Sequence, residues 1–390
     1  MPGVTHDKLD LLARLIGYDS VSARPNLAFI EFIADYLSGF GIEAKVLKNE
    51  SGDKANLLAT IGPPAAGGLM LAGHTDVVPV EGQDWATDPF TAAHRDGRVY
   101  GRGACDMKGF IAVALSLVPE LARANLTRPV HLAFTYDEEI GCCGGVALAD
   151  AITRMDHPPA FCIVGEPTGM KVVGGHKGKL SIDGHVRGAE CHSAHNDRGV
   201  NAVEIAAEIV VRFRALQKRL AADSARDERF DPPFTTIHTG VMGGGVARNI
   251  VPRDCRFEVE IRNLPGDDPM DLLRTVESDT VEELLREMRR IAPDTGIRLD
   301  VQSCIPALAP GNPDETVRQA LRLSGTNRPG VVSFATEAGL YQRTGVPAIV
   351  CGPGDIAQAH RPDEYVAVEQ LDKCETFLRG MIRNQQSNPK

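Results

Sequence analysis

Four apolar runs, residues 69–72, 130–135, 160–164 and 345–352, are too short to be helices, and each gives way within a few positions to histidine, aspartate or glutamate. Runs of that length bounded by glycine and proline read as buried strands, and a helical pattern over residues 107–125 lies between the first two. Strand alternating with helix is the rhythm of an α/β layer built on a mixed, largely parallel sheet flanked by helices. In such sheets ligands bind at the carboxyl ends of the strands, which is where these ionisable residues fall.

The rhythm changes at Lys179. From there to Cys304 the order reads strand (180–186), helix (201–220), two strands (234–242 and 255–262), helix (272–291) and strand (297–304), a βαββαβ arrangement. In the first of these helices Ile205, Ile209, Phe213, Leu216 and Leu220 follow one apolar stripe. A discontinuous catalytic domain of residues 1–178 and 305–390 is therefore expected, interrupted by an α+β insert of residues 179–304. Helical spacing also covers residues 7–22, 26–41 and 368–382, and residues 384–390 read as a frayed tail.

A length of 390 residues suits two or three such units, and a net charge of -10 has the wrong sign for tracking a phosphate backbone. No run approaches the ~20 apolar residues of a membrane span, and the first residues lack a basic-then-apolar leader. A cytoplasmic protein with no nucleic-acid or membrane partner is expected. Nine cysteines, an odd number with no CxxC pair, argue against a disulfide framework and against a thiolate zinc site, and point to buried, reduced thiols.

The chemistry is carried by five segments. In Gly73-His74-Thr75-Asp76 the two ionisable residues share a face of extended chain, so Asp76 is placed to hold the far ring nitrogen of His74, although a capped strand-end histidine would look the same. Asp106, in Gly101-Arg102-Gly103-Ala104-Cys105-Asp106-Met107, stands at a helix start, either as an N-cap or as a carboxylate with both oxygens free to bridge two cations. The surrounding glycines match no phosphate-loop pattern. Asp137-Glu138-Glu139 closes another strand, as a solvated acidic loop or as charges gathered around a cation. Glu166 ends a further strand, and His360 lies in the Gly/Pro loop after the last. Two histidines with three carboxylates suit zinc, cobalt or manganese and are too rich in nitrogen for calcium, so a two-metal site is the favoured reading.

The motifs GHTDVVP, GRGACDMKG, TYDEEIG and GEPT, with the late histidine, resemble in order the di-zinc amidohydrolases and metallopeptidases that include aminoacylase, succinyl-diaminopimelate desuccinylase and the glutamate carboxypeptidases. The resemblance covers nearly the whole chain. It implies a zinc-exopeptidase-like fold with a lid or dimerisation insert, and two divalent ions, Zn2+ first and Co2+ as the alternative. One ion would be held by His74 and Glu166, the other by Glu139 and His360, with Asp106 bridging and the Asp106–Met107 peptide cis. Glu138 would act as general base on a water shared by the ions, Asp76 would orient His74, and His192 would donate to the oxyanion, often across the interface of a homodimer. Asn249 and Arg262 resemble substrate-binding positions that would grip a carboxylate. The segments SFATEAGLY and CGPGDIAQAHRPDEY are similar to members that remove the acetyl group from N-acetyl-ornithine, in arginine biosynthesis. Glu337, Asp363 or Glu364 would then face the cationic side chain, or be solvated surface. A desuccinylase, an aminoacylase, an N-acetyl-diaminobutyrate deacetylase or a dipeptidase remains the alternative. Lys177 reads equally as a solvated side chain or a substrate contact, and His195 is given no role.

Overall fold

The structure is a computed structural model that describes residues 6–22 and 24–386. Contacts divide the chain into two compact units, residues 1–175, 310–331 and 336–390 forming the first and residues 176–309 with 332–335 the second. The expected insert boundaries thus shift by a few residues, and the short return 332–335 joins the second unit.

The first unit is built on an eight-stranded sheet in the order Ala44–Lys48, Ala55–Ile61, Val130–Thr135, Leu69–His74, Phe161–Pro167, Ala348–Gly352, Val173–His176, Gly330–Val332. Its middle is parallel: Leu69–His74 runs beside Val130–Thr135 on one side and Phe161–Pro167 on the other, and Phe161–Pro167 pairs in parallel with Ala348–Gly352. The pairings toward Ala44–Lys48 are antiparallel. Every residue of Leu69–His74 and Val130–Thr135 is buried, as expected of strands covered on both faces. Helix Gly109–Ser116 packs with them, its Phe110 and Ile111 fully buried, each contributing roughly 1.5–3 kcal/mol. Phe110 explains a glycine: a Cβ on Gly165 would fall 2.0 Å from the ring, so only glycine lets the strand that carries Glu166 pass this helix.

Two expected helices are shorter than their apolar spacing suggests. The first ends at Ile16, because residues 20–22 turn away to bond with the chain after His74: Val77 N donates to Ser20 O at 3.1 Å and Ser22 N to Val77 O at 3.1 Å. The pattern over 107–125 is broken into Gly109–Ser116 and Val118–Leu121, with a non-helical turn at Asp106 and Met107. The end of the chain also differs. Gln385 is buried and its carbonyl accepts from Thr127 N at 2.7 Å, so residues 384–386 are anchored, while 387–390 lie outside the described residues.

The second unit is a four-stranded antiparallel sheet in the order Thr236–Gly244, Asp254–Arg262, Lys179–Arg187, Gly296–Ile305. Lys179–Arg187 and Asp254–Arg262 keep one face buried in strict alternation. Against that face lies helix Ala202–Asp223, capped by the Asn201 side chain, with Ile209, Phe213 and Leu216 buried. The other helical segment is interrupted by a π-turn, Glu277–Val281, between Pro269–Val276 and Glu282–Ile291. Six of the nine cysteines are buried. Among the described residues no helix is long and apolar enough to cross a membrane.

Candidate metal centre

The parallel middle of the first sheet brings its strand ends together. His74 is the last residue of its strand and is 1 % exposed. Its Nδ1 lies 2.9 Å from the Asp76 main-chain carbonyl, an acceptor only, so Nδ1 carries a proton and Nε2 is the ring nitrogen that faces the cluster. The Asp76 carboxylate stands farther off, at 3.5 Å from Nδ1. Carbonyl and carboxylate of Asp76 thus both approach this ring nitrogen. The carboxylate also accepts from Ser22 Oγ at 2.7 Å and from the Glu138 and Glu139 amides at 3.0 and 3.2 Å, holding the turn on which those glutamates sit.

Asp106 is not an N-cap. It caps no helix with its side chain, it has extended dihedrals (φ -118, ψ 91), and its peptide with Met107 is cis. Freed from capping, its two oxygens face different imidazoles. Oδ1 lies 3.1 Å from His74 Nε2, and Oδ2 lies 3.3 Å from His360 Nε2. Glu166 Oε1 is 3.7 Å from His74 Nε2, and Glu139 Oε1 is 3.0 Å from His360 Nε2. His74 and His360 therefore stand at one cluster, on either side of Asp106. Ligand atoms of His74, Asp106 and Glu139 lie within 4.8 Å of one another, as do those of His74, Glu138 and Glu166. Glu138 is thus as close as the expected ligands, with its carboxyl turned toward the buried Cys142 thiol at 3.4 Å.

The electrostatics of the cluster call for cations. Burial, with neighbouring Asp106, pushes Glu166 well above the usual carboxylate range, and burial with Asp106 also raises Glu139. Burial, together with Glu139 and Glu337, lifts Glu138 to about 8 despite His74. Hydrogen bonds to Asp106 and Glu139 push His360 up to about 10. The three glutamates are thereby pushed toward holding protons, while His74 and His360 keep Asp106 ionised, and a divalent ion would draw the glutamates back to the charged form. Two imidazoles and three carboxylates, split by the two oxygens of Asp106, fit a pair of borderline divalent cations. His74, Asp106 and Glu166 would hold one, and Asp106, Glu139 and His360 the other.

The acids considered for a cationic side chain are occupied elsewhere. Glu337 is 1 % exposed, accepts from Tyr341 Oη at 3.2 Å, and sits where a Cβ on Gly145 would meet its Oε1 at 2.3 Å. Glu364 is 1 % exposed and accepts from Arg102 and from the amides of Gly103, Cys105 and Asp106. Asp363 accepts from Ala86 N at 3.0 Å. Neither solvated surface nor an open substrate contact describes the two glutamates. Sequence reasoning also missed Lys54, whose ammonium is buried against the Asp137 carboxylate at 2.6 Å and props the same turn as Asp76. An isolated lysine before a strand gives no signal of that.

His192, Asn249 and Arg262 belong to the second unit. His192 and Ile250 form a bridge, and Ser193 N donates to Asn249 O at 3.0 Å, so His192 and Asn249 lie side by side. His192 is exposed, and its Nδ1 accepts from Ala194 N at 3.1 Å, which puts the proton on Nε2 as a free donor. Arg262 is already engaged: Nε and Nη2 donate to both oxygens of Glu260 at 2.7 and 3.0 Å. Lys177 is 1 % exposed and donates to Phe234 O at 2.7 Å, so it is not a solvated lysine. His195 is exposed.

Comparison with known proteins gives a consistent answer. A profile of the peptidase family M20/M25/M40 matches residues 70–384. An acetylornithine deacetylase of Myxococcus xanthus is 38% identical over 383 residues, 95% of each chain, and one of Proteus mirabilis is 34% identical over 387 residues, 96% of each. Among solved structures, an M20 family metallo-carboxypeptidase from Sulfolobus solfataricus has a TM-score of 0.75 at 19% identity, covering 97% of this chain and 98% of its own. A dinuclear metal-binding peptidase of the M20 family from Bacillus subtilis has a TM-score of 0.60 at 15% identity, with 96% of each chain covered. With sequence and fold in agreement over nearly its full length, the chain belongs to the peptidase family M20/M25/M40.

Proposed function

We propose that this protein is a metal-dependent amide hydrolase that converts N-acetyl-ornithine to ornithine and acetate. The observation that carries the reading is Asp106, whose two oxygens face the imidazoles of His74 and His360 beside Glu138. The choice of acyl amino acid is supported by relatives named acetylornithine deacetylase at 33 to 38% identity over nearly the whole chain.

When bound, two divalent cations, zinc first and cobalt as the alternative, would polarise the amide carbonyl and supply an acidified water at neutral pH. Glu138 takes the proton from that water as its oxygen adds to the carbonyl carbon, and returns it to the amine nitrogen as the C–N bond breaks. Asp76 and Lys54 hold the turn that aims Glu138. In this proposal His192 donates Nε2–H to the oxyanion, and Asn249 and Arg262 meet the substrate carboxylate, Arg262 by exchanging Glu260 for it. We also propose a cytoplasmic enzyme of arginine biosynthesis acting as a homodimer through the second unit, supported by its edge strand Thr236–Gly244 with exposed Val241 and Met242.

Steady-state assays should compare acetylated ornithine, diaminobutyrate and citrulline with succinyl-diaminopimelate. A kcat/KM for acetylornithine well below any of the others overturns the assignment. The engagement of Glu337 and Glu364 removes two groups that would have selected a cationic side chain, so another N-acyl amino acid is the second reading.

A further inference from the structure

Two ligands of the cluster sit on irregular backbone that no helix or strand fixes. Asp106 and Met107 have non-helical dihedrals, and His360 has a left-handed φ of 64 with its side chain 52% exposed. The Asp106 turn is buried among its neighbours, whereas His360 projects from an open loop. What joins them is a chain of hydrogen bonds, buried at Glu364 and exposed at its last link, that starts and ends on main-chain atoms of these two residues.

Glu364 is its centre. Oε1 accepts from the amides of Cys105 at 2.8 Å and Asp106 at 3.0 Å, and Oε2 accepts from the Gly103 amide at 3.0 Å and from Arg102 Nη1 at 2.8 Å. Three amides converge on one carboxylate because Gly103, at φ +81, folds the turn around it. Arg102 carries the link onward: Nη1 also donates to Arg361 O at 3.2 Å, Nη2 reaches Pro79 O at 3.4 Å and Gln83 Oε1, and the guanidinium lies 4.9 Å from the Trp85 ring. Gln83 Nε2 then donates to His360 O at 2.9 Å. Both charged side chains of the Arg102–Glu364 pair are 1% exposed.

We propose that Glu364 and Arg102 are positioning residues for metal binding: they staple the turn of Asp106 to the loop of His360, fixing the separation of the two ligand sets that Asp106 bridges. The proposal rests on the two-cation reading above. A carboxylate is needed at 364 because four donors meet it; a glutamine would turn an NH2 group toward two of them. The free energy of this buried pair serves geometry rather than substrate contact, which is why neither group reaches solvent.

The test uses full-length protein stripped of metal by chelation, with cobalt(II) and zinc(II) affinities read by competition against a chelating dye and the visible spectrum of the cobalt form recorded. Glu364→Gln and Arg102→Lys should each weaken cation binding about 10- to 100-fold, the usual cost of losing support behind a ligand, and should alter the cobalt spectrum. KM at saturating metal should stay within about twofold of wild type. Wild-type affinity and an unchanged spectrum in folded Glu364→Gln overturn the proposal, as does a fall in the melting temperature of the stripped protein with affinity intact. Should both variants fail to fold, Gln83→Ala cuts only the link to His360 O and is expected to weaken binding several-fold; unchanged affinity there overturns the staple equally. Wild-type protein that takes up no cation sinks the two-cation reading itself, and the staple with it.

Discussion

Strand Leu69–His74 of the first unit is buried along its whole length and ends on a histidine whose Nδ1 the Asp76 carbonyl holds, whereas Lys179–Arg187 of the second alternates between core and solvent and the candidates His192 and Asn249 are exposed. The contrast extends to charges. Around the strand ends of the first unit Asp76, Lys54, Arg102 and Glu364 are all buried, each bonded to named partners, while in the second unit Arg262 and Glu260 pair at the edge of solvent. Cations demand ligands fixed to fractions of an ångström, so their supports are buried and directional. Groups that meet a substrate must be reached from solvent, and they keep looser partners that a substrate can replace.

The sharpest way to break this comparison is at the base. Glu138→Gln should retain two bound cations by metal analysis and lose about 10³-fold or more in kcat, since proton transfer fails while the ligands stay. Activity near wild type would remove Glu138 from the chemistry. In the unaltered protein, chelation should abolish turnover and added zinc or cobalt restore it.

Next in size is the buried support. Lys54→Met leaves Asp137 charged, buried and unpaired, and should cost about 3–5 kcal/mol in urea unfolding. A loss under about 1 kcal/mol would mean that Asp76 holds the turn by itself.

The units should agree in one respect, their sensitivity to acid. His131 in the first and His176 in the second are buried with no partner for Nε2 among the described residues, and burial lowers each to about 4. An unfolded histidine titrates near ~6.5. As pH falls the unfolded chain takes up protons first, so stability is full above ~6.5, declines through the window down to about 4 and then levels, by up to ~3 kcal/mol per histidine. His131→Leu or His176→Leu should flatten the corresponding part of that decline in unfolding measured at stepped pH; an undiminished slope refutes the assignment.

The smallest effect is expected at Arg262. Its side chain is 29% exposed, so Arg262→Ala should change stability by less than about 1 kcal/mol while raising KM more than it lowers kcat. A large stability loss with KM unchanged would make the pair with Glu260 structural.

Much of the site was legible because its signals are local. An apolar run followed by an ionisable residue states both that a strand is buried and that its end carries chemistry, so His74, Asp106, Glu138, Glu139, Glu166 and His360 stand out before any contact is known. Glu364 and Glu337 were noticed and misread, since an acid in a loop looks alike whether it faces solvent or three backbone amides. Helix lengths at residues 7–22 and 107–125 were overestimated for a related reason: apolar spacing continues past the point where Ser20 and Ser22 leave the helix for distant partners, and across the non-helical Met107 and the break after Ser116.

The amino-acid order by itself determined the alternation of strand and helix, the change of pattern at Lys179, and which residue types stand at the strand ends, because burial periodicity and strand termini are properties of neighbours along the chain. Only the tertiary structure decided which oxygen of Asp106 faces which imidazole, that the Asp76 carbonyl as well as its carboxylate approaches His74 Nδ1, and that Glu364 closes on the Asp106 turn. Those depend on pairings between residues up to 258 positions apart, as between Asp106 and Glu364, and such distances are set by packing rather than by any local preference.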